Sequence, residues 1–174
     1  MQKAPRLWIS FLGVSAVSIA AAAIGGAVEN VSPVYGVSLP GGYRNWRMIT
    51  VAHEAGKNND IRAILGNDVA YEAFRSGKKP FPDGSIIARL AYVYKSSPEN
   101  DAVFPAPQSF VAGDPTNVQI SVKDSKKYAE SGGWGYGQFE NGIANRSEPL
   151  LKSCFACHQK LNGSKDLVFS HYSP

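Results

Sequence analysis

Ser85-Ile86-Ile87-Ala88-Arg89-Leu90-Ala91-Tyr92-Val93-Tyr94-Lys95 is the stretch that decides the fold. It is rich in β-branched and aromatic residues and contains neither Pro nor Gly. It follows the tight-turn sequence Phe81-Pro82-Asp83-Gly84, so it predicts a long strand. Upstream, Trp46 to His53 (WRMITVAH) and Ile61 to Leu65 predict two more strands, the second broken by Gly66-Asn67. Asn67 or Asp68 then caps a short helix through Phe74 that stops at Gly77. Downstream, Ser96 to Pro107 is a polar, Pro-containing loop, and Val118 to Val122 (VQISV) predicts a strand. Lys123 to Ser131 predicts a helix ended by Gly132-Gly133. Trp134 to Phe139 (WGYGQF) predicts a strand whose glycines let another group approach closely. Leu150 to Lys160 predicts a helix with Pro149 in its first turn, and Leu167 to Tyr172 (LVFSHY) a last strand. Strands outnumber short helices about two to one. That makes an α+β domain with an antiparallel sheet and a C-terminal helix.

That C-terminal helix carries Cys154-Phe155-Ala156-Cys157-His158, a C-x-x-C-H sequence holding the only two cysteines of the 174-residue chain. Such a motif is the attachment site of a c-type haem. Positions i, i+3 and i+4 share a helix face, so Cys154, Cys157 and His158 can address one flat ligand. The thiols would form two thioethers and the imidazole would take one axial position on the iron. Two other readings exist. A disulfide or thioredoxin-like C-x-x-C needs no following histidine and normally follows a strand of a βαβ unit. A zinc site could recruit Cys154, Cys157 and His171, but the second half of a zinc pattern is missing.

Lys3 and Arg6 precede an uncharged apolar run from Leu7 to about Ala27, with small residues offering cleavage points. Residues 1–27 are therefore expected to be a secretory signal peptide, with an uncleaved membrane anchor as the alternative. Both place the domain in the periplasm, where c-type haem is attached. The Pro- and Gly-rich residues 28–42 are expected to be a linker, and 43–174 one domain. Without Lys3 and Arg6, 16 basic residues face 14 acidic ones. So modest a balance gives no reason to expect a nucleic-acid partner, and Lys123-Asp124-Ser125-Lys126-Lys127 reads as a solvated helix start.

A single C-x-x-C-H near the end of a sheet-rich secreted domain resembles the cytochrome P-460 family, whose relatives include the cytochromes c′-β. The resemblance is carried by Tyr43-Arg44-Asn45-Trp46, by Phe81 to Gly84 with the strand after it, and by Val122-Lys123-Asp124-Ser125-Lys126. It continues through Gly133-Trp134-Gly135-Tyr136, the haem motif and Asp166-Leu167-Val168-Phe169. It implies a homodimer with one covalent haem c, His158 as the proximal iron ligand, and an open distal face. Members of the P-460 type oxidise hydroxylamine and carry an extra lysine–haem bond. The c′-β relatives lack that bond and bind nitric oxide or carbon monoxide. The cross-linking lysine lies five residues beyond the glycine of the D-G turn, where this chain has Arg89. A guanidinium stays protonated and is a poor nucleophile, which argues against the enzyme chemistry. Lys95 is not an obvious substitute.

The chain is thus expected to be a periplasmic mono-haem cytochrome that binds a small, nitric oxide-like ligand or serves redox chemistry with a periplasmic partner. An oxidoreductase acting on hydroxylamine or a related nitrogen compound is the first alternative, and a plain electron carrier the second. Arg89 is a candidate to reach a bound ligand or a haem propionate. The resemblance nominates Asp124 and Glu148 as relay carboxylates, with helix capping as the other reading of Asp124. A filled sixth iron site would have to come from Met48, His53 or His171. Met48 is expected in the core instead, and His53 is expected to face water. Trp46, Phe74, Phe81, Tyr92, Trp134, Tyr136 and Phe139 are core or pocket wall.

Overall fold

The computed structural model describes Met1, residues 30–161 and residues 163–174; the expected leader lies outside the described residues. A six-stranded antiparallel meander is built from β3 (Arg47–Glu54), β4 (Asp60–Gly66), β5 (Ile86–Ser96), β6 (Phe110–Lys123), β7 (Trp134–Glu140) and β8 (Ile143–Ala144) in spatial order β3-β4-β5-β6-β7-β8. A separate two-stranded hairpin, β1 (Val31–Ser32) and β2 (Val37–Ser38), precedes it. The helices are α1 (Asp68–Ser76), the four-residue α2 (Pro98–Asp101) and α3 (Glu148–His158). This is the expected α+β architecture with its C-terminal helix.

Local chemistry sets the boundaries. Asn67 caps α1 by accepting from Ala70 N (3.0 Å) and also accepts from Ile86 N (3.0 Å), so one amide side chain fixes both α1 and the start of β5. Gly77 closes α1 in the left-handed region, as expected of a C-terminal glycine. On α1, Ala70, Ala73 and Phe74 form the buried stripe.

Directly paired residues of an antiparallel sheet share a face. One face carries Ile64, Ile87 and Tyr136 and packs beneath α1 and α3, with Phe74, Phe81, Trp134 and Val168 in the same cluster. The opposite face carries Leu65, Ala88, Leu90, Ile120 and Phe139 and is covered by Val37 and Tyr128. The stretch read as a linker therefore holds a buried hairpin: Ser32 and Val37 are almost fully enclosed, and Asn30 Oδ1 accepts from Ala144 N (2.6 Å).

Three other expectations change. β6 begins eight residues before the expected Val118, and Gly113, Asp114 and Pro115 lie where it pairs only with β5. A strand edge tolerates the amide that Pro lacks. The helix expected over 123–131 shrinks to a 3-10 turn at Ala129–Ser131. Lys123 stays in β6 opposite Trp134, and Asp124 Oδ1 takes the amides of Lys126 and Lys127 (3.1 and 2.8 Å) in a local turn. The expected strand over 167–172 is absent: Asp166 and Leu167 adopt positive φ (47° and 60°), which turns the chain away from any ladder.

The close approach foreseen at the β7 glycines is made by the protein itself. A Cβ on Gly135 would stand 2.3 Å from Tyr128 Cζ, and one on Gly137 would stand 3.0 Å from Val37 Cγ1. Gly135→Ala is therefore expected to destabilise the fold by about 1–3 kcal/mol, the usual cost of overpacking, measured by chemical denaturation. Adding Tyr128→Leu should restore part of that loss, and no loss in the single variant would contradict the packing.

Candidate haem site

The first turn of α3 holds Glu148 and Pro149, both suited to a helix start, and Leu151 anchors the helix completely buried. Cys154 and His158, four residues apart, then share a face, and the helix ends at His158. Cys154 is half-buried and Cys157 exposed, and the two form no disulfide. Among the described residues no group of three His, Cys, Asp or Glu gathers to hold a metal ion, so the zinc alternative finds no ligand set around the two cysteines.

His158 is held in one orientation. Its Nδ1 lies 2.6 Å from the Leu167 carbonyl. A carbonyl can only accept, so Nδ1 carries the proton and Nε2 keeps its lone pair. The ring sits between Tyr136 and Phe169, with centroids 4.9 Å away in each case. Burial pushes the imidazole pKa down, against an opposing effect of the Leu167 bond, so the neutral ligand form is favoured. A neutral imidazole with Nδ1 bonded to backbone and Nε2 free is the donor that a haem iron requires.

The sheet face beneath α3 supplies the remaining groups. Arg89 on β5 pairs with Ile64 and Gln119, and so shares a face with Ile87 and Tyr136. Its side chain is 15% exposed. Nη1 donates to Asn117 Oδ1 (3.1 Å) and Nη2 to Asp60 Oδ2 (3.0 Å). Cys154 and Tyr35 pack against the cluster that holds Tyr136. Burial lowers the Arg89 pKa against the pull of Asp60. Burial likewise raises the Cys154 thiol and, with Tyr35 beside it, the Tyr136 phenol.

Three buried side-chain polar atoms of the described residues have no partner: Arg89 Nε, Trp134 Nε1 and Tyr136 Oη. Strand register places all three residues on the face beneath α3. Unsatisfied donors on a buried face are costly unless a ligand supplies acceptors. A haem, with its two carboxylates and an axial ligand, is a group of that kind. The residues present therefore fit it: Cys154 and Cys157 as anchors, His158 as axial donor.

The other nominated residues stand elsewhere. Asp124 is half-buried and engaged in its own turn. The Glu148 side chain is 62% exposed and pairs with Lys152 at 2.9 Å. Met48 is 58% exposed, contrary to the expected core position, because it pairs with Leu65 on the face away from α3, just before a bulge in β3. His53 is exposed, stacked on Tyr94, and on that same far face; His171 is exposed. The carboxylate that the site does bury is Asp60, which sequence reasoning missed. It is 4% exposed and also accepts from Arg62 Nε at 2.5 Å, while Arg62 pairs in addition with Glu54. The charge-bearing Asp60-Ile61-Arg62 segment inside a strand was the available signal.

Asp60→Ala would leave two enclosed guanidiniums without their shared carboxylate. It is expected to cost roughly 3 kcal/mol or more in chemical denaturation. Glu148→Ala should stay within about 0.5 kcal/mol, as exposed pairs do. Equal effects would contradict the placement of these carboxylates.

A family profile described as Cytochrome P460 matches residues 40–170. No curated protein matches the chain. With a C-x-x-C-H helix and that match over three quarters of its length, the chain belongs to the cytochrome P-460 family and is a c-type haem cytochrome.

Proposed function

We propose that the protein is a periplasmic mono-haem cytochrome that binds a small nitrogen-containing ligand such as nitric oxide on an open distal iron face. Bound haem supplies an iron able to change oxidation state and to take a diatomic or small anionic ligand. Cys154 and Cys157 would each add a thiol S–H across a porphyrin vinyl group, and His158 would hold the iron through Nε2. The candidate sixth ligands support an open distal face: Met48 and His53 lie on the far sheet face, and His171 is exposed.

The observation that carries this reading is Arg89, enclosed on the sheet face beneath α3, where the family resemblance expects the cross-linking lysine. A guanidinium so placed remains a cation and donates hydrogen bonds without attacking the macrocycle. Asp60 and Asn117 take two of its nitrogens and fix its plane, leaving the buried Nε–H as an unpaired donor. Such a donor favours ligands that carry negative charge or draw it from the iron on binding. Hydroxylamine oxidation remains the alternative: it shares the open iron and lacks the lysine. Export by residues 1–27, a homodimer and a periplasmic redox partner complete the proposal, on the leader's composition and the family resemblance.

The test is ligand titration of the ferric holoprotein. Arg89→Leu is expected to weaken azide binding by about tenfold to a hundredfold, from a charge-assisted hydrogen bond worth roughly 1.5–3 kcal/mol, while leaving neutral imidazole unaffected. Asp60 keeps Arg62 as its partner, so the variant should fold. Equal effects on both ligands, or none, would overturn the distal role. Steady turnover of hydroxylamine with an artificial electron acceptor would move the alternative to first place.

A further inference from the structure

We infer that the buried Lys123–Asp166 ion pair is a positioning device for the proximal iron bond, setting how strongly His158 donates to the iron. The inference rests on His158 as the proximal ligand.

The Leu167 carbonyl that receives His158 Nδ1–H is presented by two consecutive non-glycine residues in the left-handed region, Asp166 at φ 47° and Leu167 at φ 60°. Residues with a Cβ hold such a conformation only when their surroundings impose it. Here the restraint is visible on both sides of the carbonyl. Asp166 Oδ1 accepts from Lys123 Nζ at 2.8 Å, and Asp166 Oδ2 accepts from Phe81 N at 2.7 Å. One carboxylate therefore ties this turn to the end of β6 and to the turn ahead of β5. Lys123 Nζ also donates to the Gly132 carbonyl at 3.3 Å, and both charged side chains are enclosed, at 6% and 12% exposure. Leu167 in turn packs so tightly over Gly132 that a Cβ there would stand 2.5 Å from Leu167 Cδ1.

A pair this enclosed is poor evidence of stabilisation, since desolvation offsets much of the attraction. Its location suggests another use. A hydrogen bond from the far nitrogen of a metal-bound imidazole fixes the ring orientation and raises its basicity. A carbonyl fixed at 2.6 Å would raise the basicity of His158, and so strengthen its bond to a bound iron and favour the ferric state. Releasing the turn would lengthen that bond and weaken both effects.

The test uses the ferrous and ferric holoprotein. Lys123→Met and Asp166→Asn are each expected to shift the ferrous iron–histidine stretching band to lower frequency, and the two together, which leave the net charge unchanged, are expected also to raise the reduction potential. Either single variant strands a buried group and can fail to fold. Lys123→Met/Asp166→Asn together remove both charges without stranding either, and the double variant is scored by the same band. A downward shift in whichever of these variants carries haem supports the inference. An unchanged band and potential in a folded, haem-loaded variant overturns it, because a purely structural role would lower only the thermal midpoint. Failure of the proximal assignment itself is distinguishable: His158→Gly would then leave the parent's iron–histidine band unchanged.

Discussion

The hydrogen bond from His158 Nδ1 to the Leu167 carbonyl is the constraint on which the rest of the site depends. It commits the imidazole to one tautomer and one plane. The chain after Leu167 is tied down piece by piece. Val168 enters the core, Phe169 packs on the His158 ring, and Ser173 N donates to the Ile49 carbonyl at 3.0 Å. The C-terminal tail serves the site by holding one carbonyl in place.

The sheet divides its labour by face. Away from α3, Leu65, Ala88, Leu90, Ile120 and Phe139 form an ordinary apolar layer closed by the β1–β2 hairpin and Tyr128. Beneath α3 the same strands carry a polar tract of Asp60, Arg62, Arg89, Asn117, Gln119 and Gln138, in which Gln119 donates to Gln138 at 2.8 Å. A buried tract of this polarity reduces stability unless its groups are paired. Most are paired; Arg89 Nε is not, nor are Trp134 Nε1 and Tyr136 Oη on the same face.

Much of this was legible in the sequence, for physical reasons that also explain the gaps. The strand from Ser85, the Asn67–Gly77 helix with its caps, and the haem helix depend on local pattern, and local pattern predicted them. Arg89 was legible through its spacing from Gly84, but its partners were not. Asp60 reaches it only through the β4–β5 register, 29 positions apart in sequence. Lys123 looked like a solvated helix start because its neighbours are charged, yet pairing with Trp134 across β6 and β7 turns it inward to Asp166. The Pro- and Gly-rich residues around Val31 and Val37 looked like a linker because nothing local reveals that β7 glycines leave room for them.

The central claim is a covalently attached, otherwise unmodified haem, and the absorption spectrum of the ferrous protein unfolded in alkaline pyridine tests it most directly. An ordinary c-type spectrum is the predicted result, meaning two thioethers to Cys154 and Cys157 and no further bond to the macrocycle. A red-shifted, abnormal spectrum would contradict the account by revealing an extra covalent link despite Arg89. Absence of any haem spectrum after expression with the maturation machinery would contradict it altogether.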